Sequence, residues 1–231
     1  MNALKNKINF SNTQLAIVLS TLIVISIIFR IVVFPSDLPL PQDAEVYFWY
    51  ANDMSLTNNF PDWEDAYFPN TFWPTFLSIF FTSASSDNFI DYMTIQRSIT
   101  VGLSVITGIS VFFLCRNFVK QEYALIGSAL FLFEPRLIQN SLSGLTEPLF
   151  LLLAVSSIVL YLNKRISFTY AAFVILALAT LTRYEAALLV IPFSLLFIWK
   201  NRDSRKIFQL LICLAIFFII IISIDSFRTS Y

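Results

Sequence analysis

The chain has 231 residues, 57% of them hydrophobic and only 13% charged, with 15 basic and 15 acidic residues and no histidine. So few charges cannot clothe a soluble globule of this length, and a mean hydropathy of +0.73 points to lipid as the solvent. The missing histidine excludes imidazole acid–base catalysis and His-ligated metal centres. Four scattered glycines (Gly102, Gly108, Gly127, Gly144) exclude a phosphate-cradling loop, and no basic cluster interleaved with aromatics suggests nucleic acid.

Taken in chain order, the first apolar run covers 15–34, after Lys5 and Lys7. It has the outline of a secretory signal, but its length and its lack of a small-residue cleavage site make it a first spanning helix, with Arg30 near its outer end snorkelling to the interface. A polar stretch follows to about residue 91. Further helices are predicted at 92–114, from 122 to a stop at Glu134-Pro135, at 147–162, 168–181, 186–199 and 207–224. Within the polar stretch, 45–56 reads as an amphipathic helix offering Tyr47, Phe48, Tyr50, Ala51 and Met54 to the membrane interface, and 68–81 as a second interfacial helix. Cys115 and Cys213 read as two unrelated packing thiols. The fold class is therefore all-α and polytopic, with about seven transmembrane helices. The whole chain, 1–231, reads as one membrane domain, with 35–91 as a large outer loop.

Charge gives the orientation. With the N-terminus in the cytoplasm, the inner segments collect Lys5, Lys7, Arg116, Lys120, Lys164, Arg165, Lys200, Arg202, Arg205 and Lys206. Between Arg30 and Arg97 lie nine acidic residues and no basic one, which marks that loop as extracytoplasmic. The protein is expected in the cell membrane, or in the endoplasmic reticulum of a eukaryote. Spanning hydrocarbon takes about 20 helical residues, so the shorter third, fifth and sixth segments should end below the membrane surface. Glu134, Arg136, Glu147, Arg183 and Glu185 all sit at those ends. Charges at such depth face one another or water, so a polar, outward-opening cavity is expected there.

The segment Asp43-Ala44-Glu45-Val46-Tyr47-Phe48-Trp49-Tyr50-Ala51 is the most informative for chemistry. A carboxylate there is held close to the membrane and can take a proton from an acceptor hydroxyl while a lipid-borne donor enters from the bilayer. A solvated acidic loop would show the same residues.

One helix followed by Asp-x-x-x-Tyr-x-x-x-Ala resembles the start of the GT-C glycosyltransferases, which take sugars from polyprenyl-phosphate carriers. It is most similar to their protein O-mannosyltransferase and aminoarabinose transferase branch. The resemblance continues through Phe68-Pro69-Asn70-Thr71-Phe72-Trp73-Pro74, through Pro135 with Ser143-Gly144-Leu145-Thr146-Glu147-Pro148-Leu149-Phe150, and through Leu178-Ala179-Thr180-Leu181-Thr182-Arg183-Tyr184-Glu185. It implies an inverting transfer from a polyprenyl-phosphate-linked sugar, of hexosyl or mannosyl type, to a lipid, glycan or protein acceptor. Asp43 would serve as catalytic base, or Glu45, since an alanine separates two acids that are adjacent in many relatives. Arg183 would hold the donor phosphate with its paired donors, or else form an ion pair with Glu185 or Glu147 that only stabilises the bundle. Glu147 would orient substrate, bind a divalent cation with Asp43, or cap its own helix. Arg97 and Arg136 are further candidates for the phosphate. Tyr47, Trp73 and Tyr184 would stack on sugar or anchor in the interface.

Relatives of this kind carry further helices, so the chain is expected to be a fragment, a split product that needs a partner subunit, or a minimal module. A non-catalytic subunit of a glycosylation complex, or a small transporter, is the alternative; the paired repeats of transporters are not found.

Overall fold

A computed structural model of the chain describes residues 11–61, 70–84, 88–163, 165–200 and 204–229. All regular structure among them is helical: α1 (Asn12–Val32), α2 (Gln42–Thr57), α3 (Phe72–Ser83), α4 (Phe89–Arg116), α5 (Gln121–Leu132), α6 (Pro135–Leu142), α7 (Glu147–Tyr161), α8 (Ile166–Thr182), a 3-10 turn (Tyr184–Leu189), α9 (Val190–Lys200) and α10 (Ser204–Thr229). The chain is an integral membrane protein. Among the described residues α1, α4 and 207–224 of α10 are long and apolar enough to cross a bilayer, and α7, α8 and the 184–199 stretch are shorter apolar helices. The lipid-facing surfaces are explicit on the two outer helices: Ile17, Val24, Ile28, Ile31 and Val32 of α1, and Phe208, Leu211, Phe218, Ile219 and Ile222 of α10, are exposed.

Every predicted apolar segment is a helix, but the sixth is not regular throughout. It opens as the 3-10 turn and becomes α-helical only at Val190. A further helix, α6, lies where the sequence reading ended the third segment and proposed nothing. Glu134 caps it, accepting from the Leu137 amide at 2.6 Å, and Pro135 occupies its first turn, where a missing N–H costs nothing.

α4 is the axis, packing against α1, α5, α6 and α7. Its approach to α5 depends on small residues, as is usual where helices meet in lipid. A Cβ on Gly108 would lie 2.5 Å from Leu132, one on Gly127 would lie 2.7 Å from the Cys115 sulfur, and Ser128 donates to the Gly108 carbonyl at 2.7 Å. Cys115 and Cys213 are both free thiols. On the far side α8, α9 and α10 close around Phe173, Leu176, Phe193, Phe197, Cys213 and Phe217.

Two local expectations are corrected. The face of α2 read as interfacial faces protein: Phe48 and Ala51 pack with Ala44 against Trp73, Leu77 and Phe81 of α3 and Met93 of α4. Tyr50 is buried as well. An amphipathic stripe needs an apolar partner, and here α3 supplies it in place of lipid. Arg30 does not snorkel outward either. Its side chain is 0% exposed and donates to the Ser141 hydroxyl (3.3 Å), the Ser104 hydroxyl (3.2 Å), the Leu132 carbonyl (3.1 Å) and Ser26. Turned inward, each of the three guanidinium nitrogens finds an oxygen, and the side chain ties α1, α4, α5 and α6 at one point.

Candidate functional site

Three helix ends meet around a polar cavity of about 320 Å³. Arg136, Leu137 and Asn140 reach it from α6, Glu147, Phe150 and Leu151 from the first turns of α7, and Arg183 and Glu185 from the end of α8 and the turn beyond. The local sequence dictates the convergence. Glu134-Pro135 breaks α5 from α6, and Gly144, at φ +74°, lets the chain reverse between α6 and α7 in a conformation that a side chain would strain. Pro148 sits in the first turn of α7, and Arg183 leaves α8 in an extended conformation (φ −152°, ψ 123°).

Arg183 is the hub. One terminal nitrogen lies 2.7 Å from Glu147 Oε1 and the other 3.2 Å from Glu185 Oε1, so both ion pairs considered from sequence form together. Its guanidinium also lies over the Phe150 ring, 5.9 Å from the centroid. Burial alone would loosen the Arg183 proton. The hydrogen bond to Glu185 and the two carboxylate charges outweigh it, so the pKa lies above the ordinary guanidinium value. The three side chains remain 30–41% exposed, so the pairs contribute little to stability through solvent-screened Coulomb attraction. The other carboxylate oxygens, Glu147 Oε2 and Glu185 Oε2, are buried with no hydrogen-bond partner. Neither atom is open to the cavity in this conformation, so a ligand's donors, such as a polyol's, reach them only when the carboxylates turn. Arg136 is exposed and has no carboxylate partner among the described residues, which makes it the less committed cation of the two.

The remaining sequence candidates lie elsewhere. Asp43 and Glu45 occupy the first turn of α2; Asp43 is exposed, and Glu45 accepts from the Trp49 indole at 3.2 Å. The Tyr47 hydroxyl accepts from the Asn70 amide at 3.3 Å. Trp73 is 0% exposed, which removes it both from sugar stacking and from the interface, whereas Tyr184 is 64% exposed. Arg97 is buried and spends three of its donors on the carbonyls of Pro35 (3.0 Å), Leu38 (2.7 Å) and Pro39 (2.8 Å), holding the link between α1 and α2, away from the Arg183 cavity. Among the described residues no group of three or more acidic or cysteine side chains gathers as for a metal ion.

A sequence model of the dolichyl-phosphate-mannose-protein mannosyltransferase family matches residues 77–224. The chain belongs to that family. Membership makes it a mannosyltransferase-like membrane glycosyltransferase, in a family defined by a lipid-linked sugar donor and an acceptor. No curated protein and no solved structure matches the chain. The mannosyltransferase match takes in Arg136, Glu147, Arg183 and Glu185 and begins after Asp43, Glu45 and Tyr47.

Asn140, which lines the cavity, and Gln96, which lies outside it, escaped the sequence reading. Asn140 follows Arg136 by four, so the two share one face of α6. That spacing becomes visible only once Pro135 is taken as a helix start as well as a stop. Gln96, fully buried on α4, donates both to the Ala44 carbonyl (3.2 Å) and to the Gly144 carbonyl (2.8 Å). Its signal was the four-residue spacing of Gln96, Thr100 and Ser104, which puts the three on one face of the helix.

Proposed function

We propose that the chain transfers mannose from a polyprenyl-phosphate donor to an acceptor on the extracytoplasmic face. The observation that carries this is the cavity in which Arg183 is braced by Glu147 and Glu185 while Arg136 stands uncommitted beside it. A phosphate arriving there meets Arg136 directly and Arg183 behind it, with fixed N–H groups suited to its oxygens. Turned toward the cavity, the Glu147 and Glu185 carboxylates would accept from the sugar hydroxyls. In the reaction Asp43 takes the proton of the acceptor hydroxyl and the freed oxygen attacks the anomeric carbon from the side opposite the phosphate. The bond from carbon to phosphate oxygen breaks, the polyprenyl phosphate leaves with that electron pair, and the configuration inverts. Membranes carrying the chain should move label from polyprenyl-phosphate [³H]mannose into lipid, glycan or protein acceptors. Label supplied as GDP-mannose, in membranes that cannot make the polyprenyl-phosphate sugar, should stay put; the reverse would sink the donor assignment.

Sidedness belongs to the same reading. The stretch from Arg30 to Arg97, with nine acidic and no basic residues, supports an outer loop, and the basic run around Arg202 supports a cytoplasmic one. Asn58, exposed at the C-terminus of α2, gives a labelling position on that loop. With the native thiols replaced, Asn58→Cys should react with an impermeant maleimide in intact cells and Ser204→Cys should react only after lysis. The opposite pattern would invert the topology.

A further inference from the structure

We infer that Gln96 is a positioning residue for the transfer, setting the segment that carries Asp43 against the segment that carries Glu147. The inference rests on the reading of Asp43 as the base. One amide nitrogen reaches two backbone carbonyls that are far apart in sequence: Ala44 O at 3.2 Å, next to Asp43, and Gly144 O at 2.8 Å, three residues before Glu147. Gln96 is 0% exposed and sits on α4, a third element that belongs to neither segment. The joint is tight as well as polar. Leu40, just before α2, lies where a Cβ on Gly144 would meet it at 3.0 Å, and the Gln96 side chain lies 3.3 Å from the same point.

The chemistry makes such a joint consequential. Asp43 does not line the cavity that holds Arg183, so the two functions come from separate segments and their relative placement decides whether acceptor oxygen and anomeric carbon meet. A misplacement of about 1 Å at such a site can cost about a hundredfold in rate. Arg136 on α6 and Arg183 at the end of α8, the two cations that would meet the donor phosphate, make no contact with Gln96, so loosening the joint should leave donor affinity in place. The Gln96 Oε1 atom accepts no hydrogen bond, so the side chain's contribution is its donor pair alone.

The test uses the full chain in membranes, with polyprenyl-phosphate mannose as donor and the membranes' own acceptors. Gln96→Leu keeps the volume and removes both hydrogen bonds. It should lower kcat by about tenfold to a hundredfold and leave the donor KM within about twofold. In an Asp43→Asn background it should cost nothing further, since it acts through Asp43. Gln96→Met is the second variant, for the case in which Gln96→Leu does not accumulate. Its unbranched side chain also lacks both donors, and the same kcat loss, cancelled by Asp43→Asn, is expected. An equal kcat loss in both backgrounds, or a raised donor KM, would overturn the inference. A normal Asp43→Asn defect beside fully active Gln96→Leu and Gln96→Met would overturn it alone, whereas full activity of Asp43→Asn by itself would remove the base reading and this inference with it.

Discussion

Asp43→Asn should lower sugar transfer by at least about a hundredfold, the usual scale for losing a general base, without changing the amount of protein in the membrane. The asparagine keeps the size of the side chain and removes only its charge and basicity. Asp43 is in the first turn of α2, exposed, so its replacement leaves no packed surface behind. Glu45 is the control. Two residues further along a helix, it points about 200° away from Asp43, and its carboxylate already accepts from Trp49 at 3.2 Å. Glu45→Gln can retain that acceptor, so the expected effect is mild. The assay is transfer from a polyprenyl-phosphate sugar pool in membranes, with protein level read in parallel. A fully active Asp43→Asn with an inactive Glu45→Gln would move the base to Glu45. Full activity of both would end the assignment of chemistry to this segment.

What could be read in the sequence follows from which interactions are local. The apolar helices were legible because hydropathy is a property of each segment alone: 92–114 was expected and Phe89–Arg116 is found, and 168–181 lies inside Ile166–Thr182. The clustering of Glu147, Arg183 and Glu185 was also legible, since charged residues at the ends of short apolar helices have few partners other than one another. Apart from α6 and the 3-10 turn, the failures concern partners. An apolar face on α2 looks the same whether α3 or a bilayer covers it, and only the fold brings Trp73 and Leu77 against Phe48. Arg30 near a helix end fits snorkelling as well as burial until Ser104 and Ser141 are known to lie opposite. Arg97 had the charge to bind phosphate, yet the carbonyls of Pro35, Leu38 and Pro39 claim it. Pairings across some 60 residues leave no trace in a periodicity.

Arg183→Lys should cut the use of the polyprenyl-phosphate donor by about tenfold to a hundredfold while the protein still inserts and accumulates. The planar guanidinium spans two carboxylates at once, 2.7 Å to Glu147 and 3.2 Å to Glu185, and keeps further N–H groups for a third partner. A lysine ammonium is a single point that cannot hold both distances and offer paired donors in a plane. Losing one hydrogen bond to a charged group costs about 1.5–3 kcal/mol, which sets the expected range. Stability should change less. The three side chains are partly exposed, so water can take over for the weakened pair, and the backbone N–H of Arg183 still closes α8 on the Ala179 carbonyl at 2.8 Å. Glu147→Gln separates the roles further. It keeps an acceptor for Arg183 and removes the charge that restrains it, so donor KM should move by less than in Arg183→Lys. The decisive readout is donor KM measured beside membrane abundance. If Arg183→Lys were absent from the membrane, or present with unchanged donor KM, Arg183 would be a brace between α7 and α8 and the phosphate would belong to Arg136 alone.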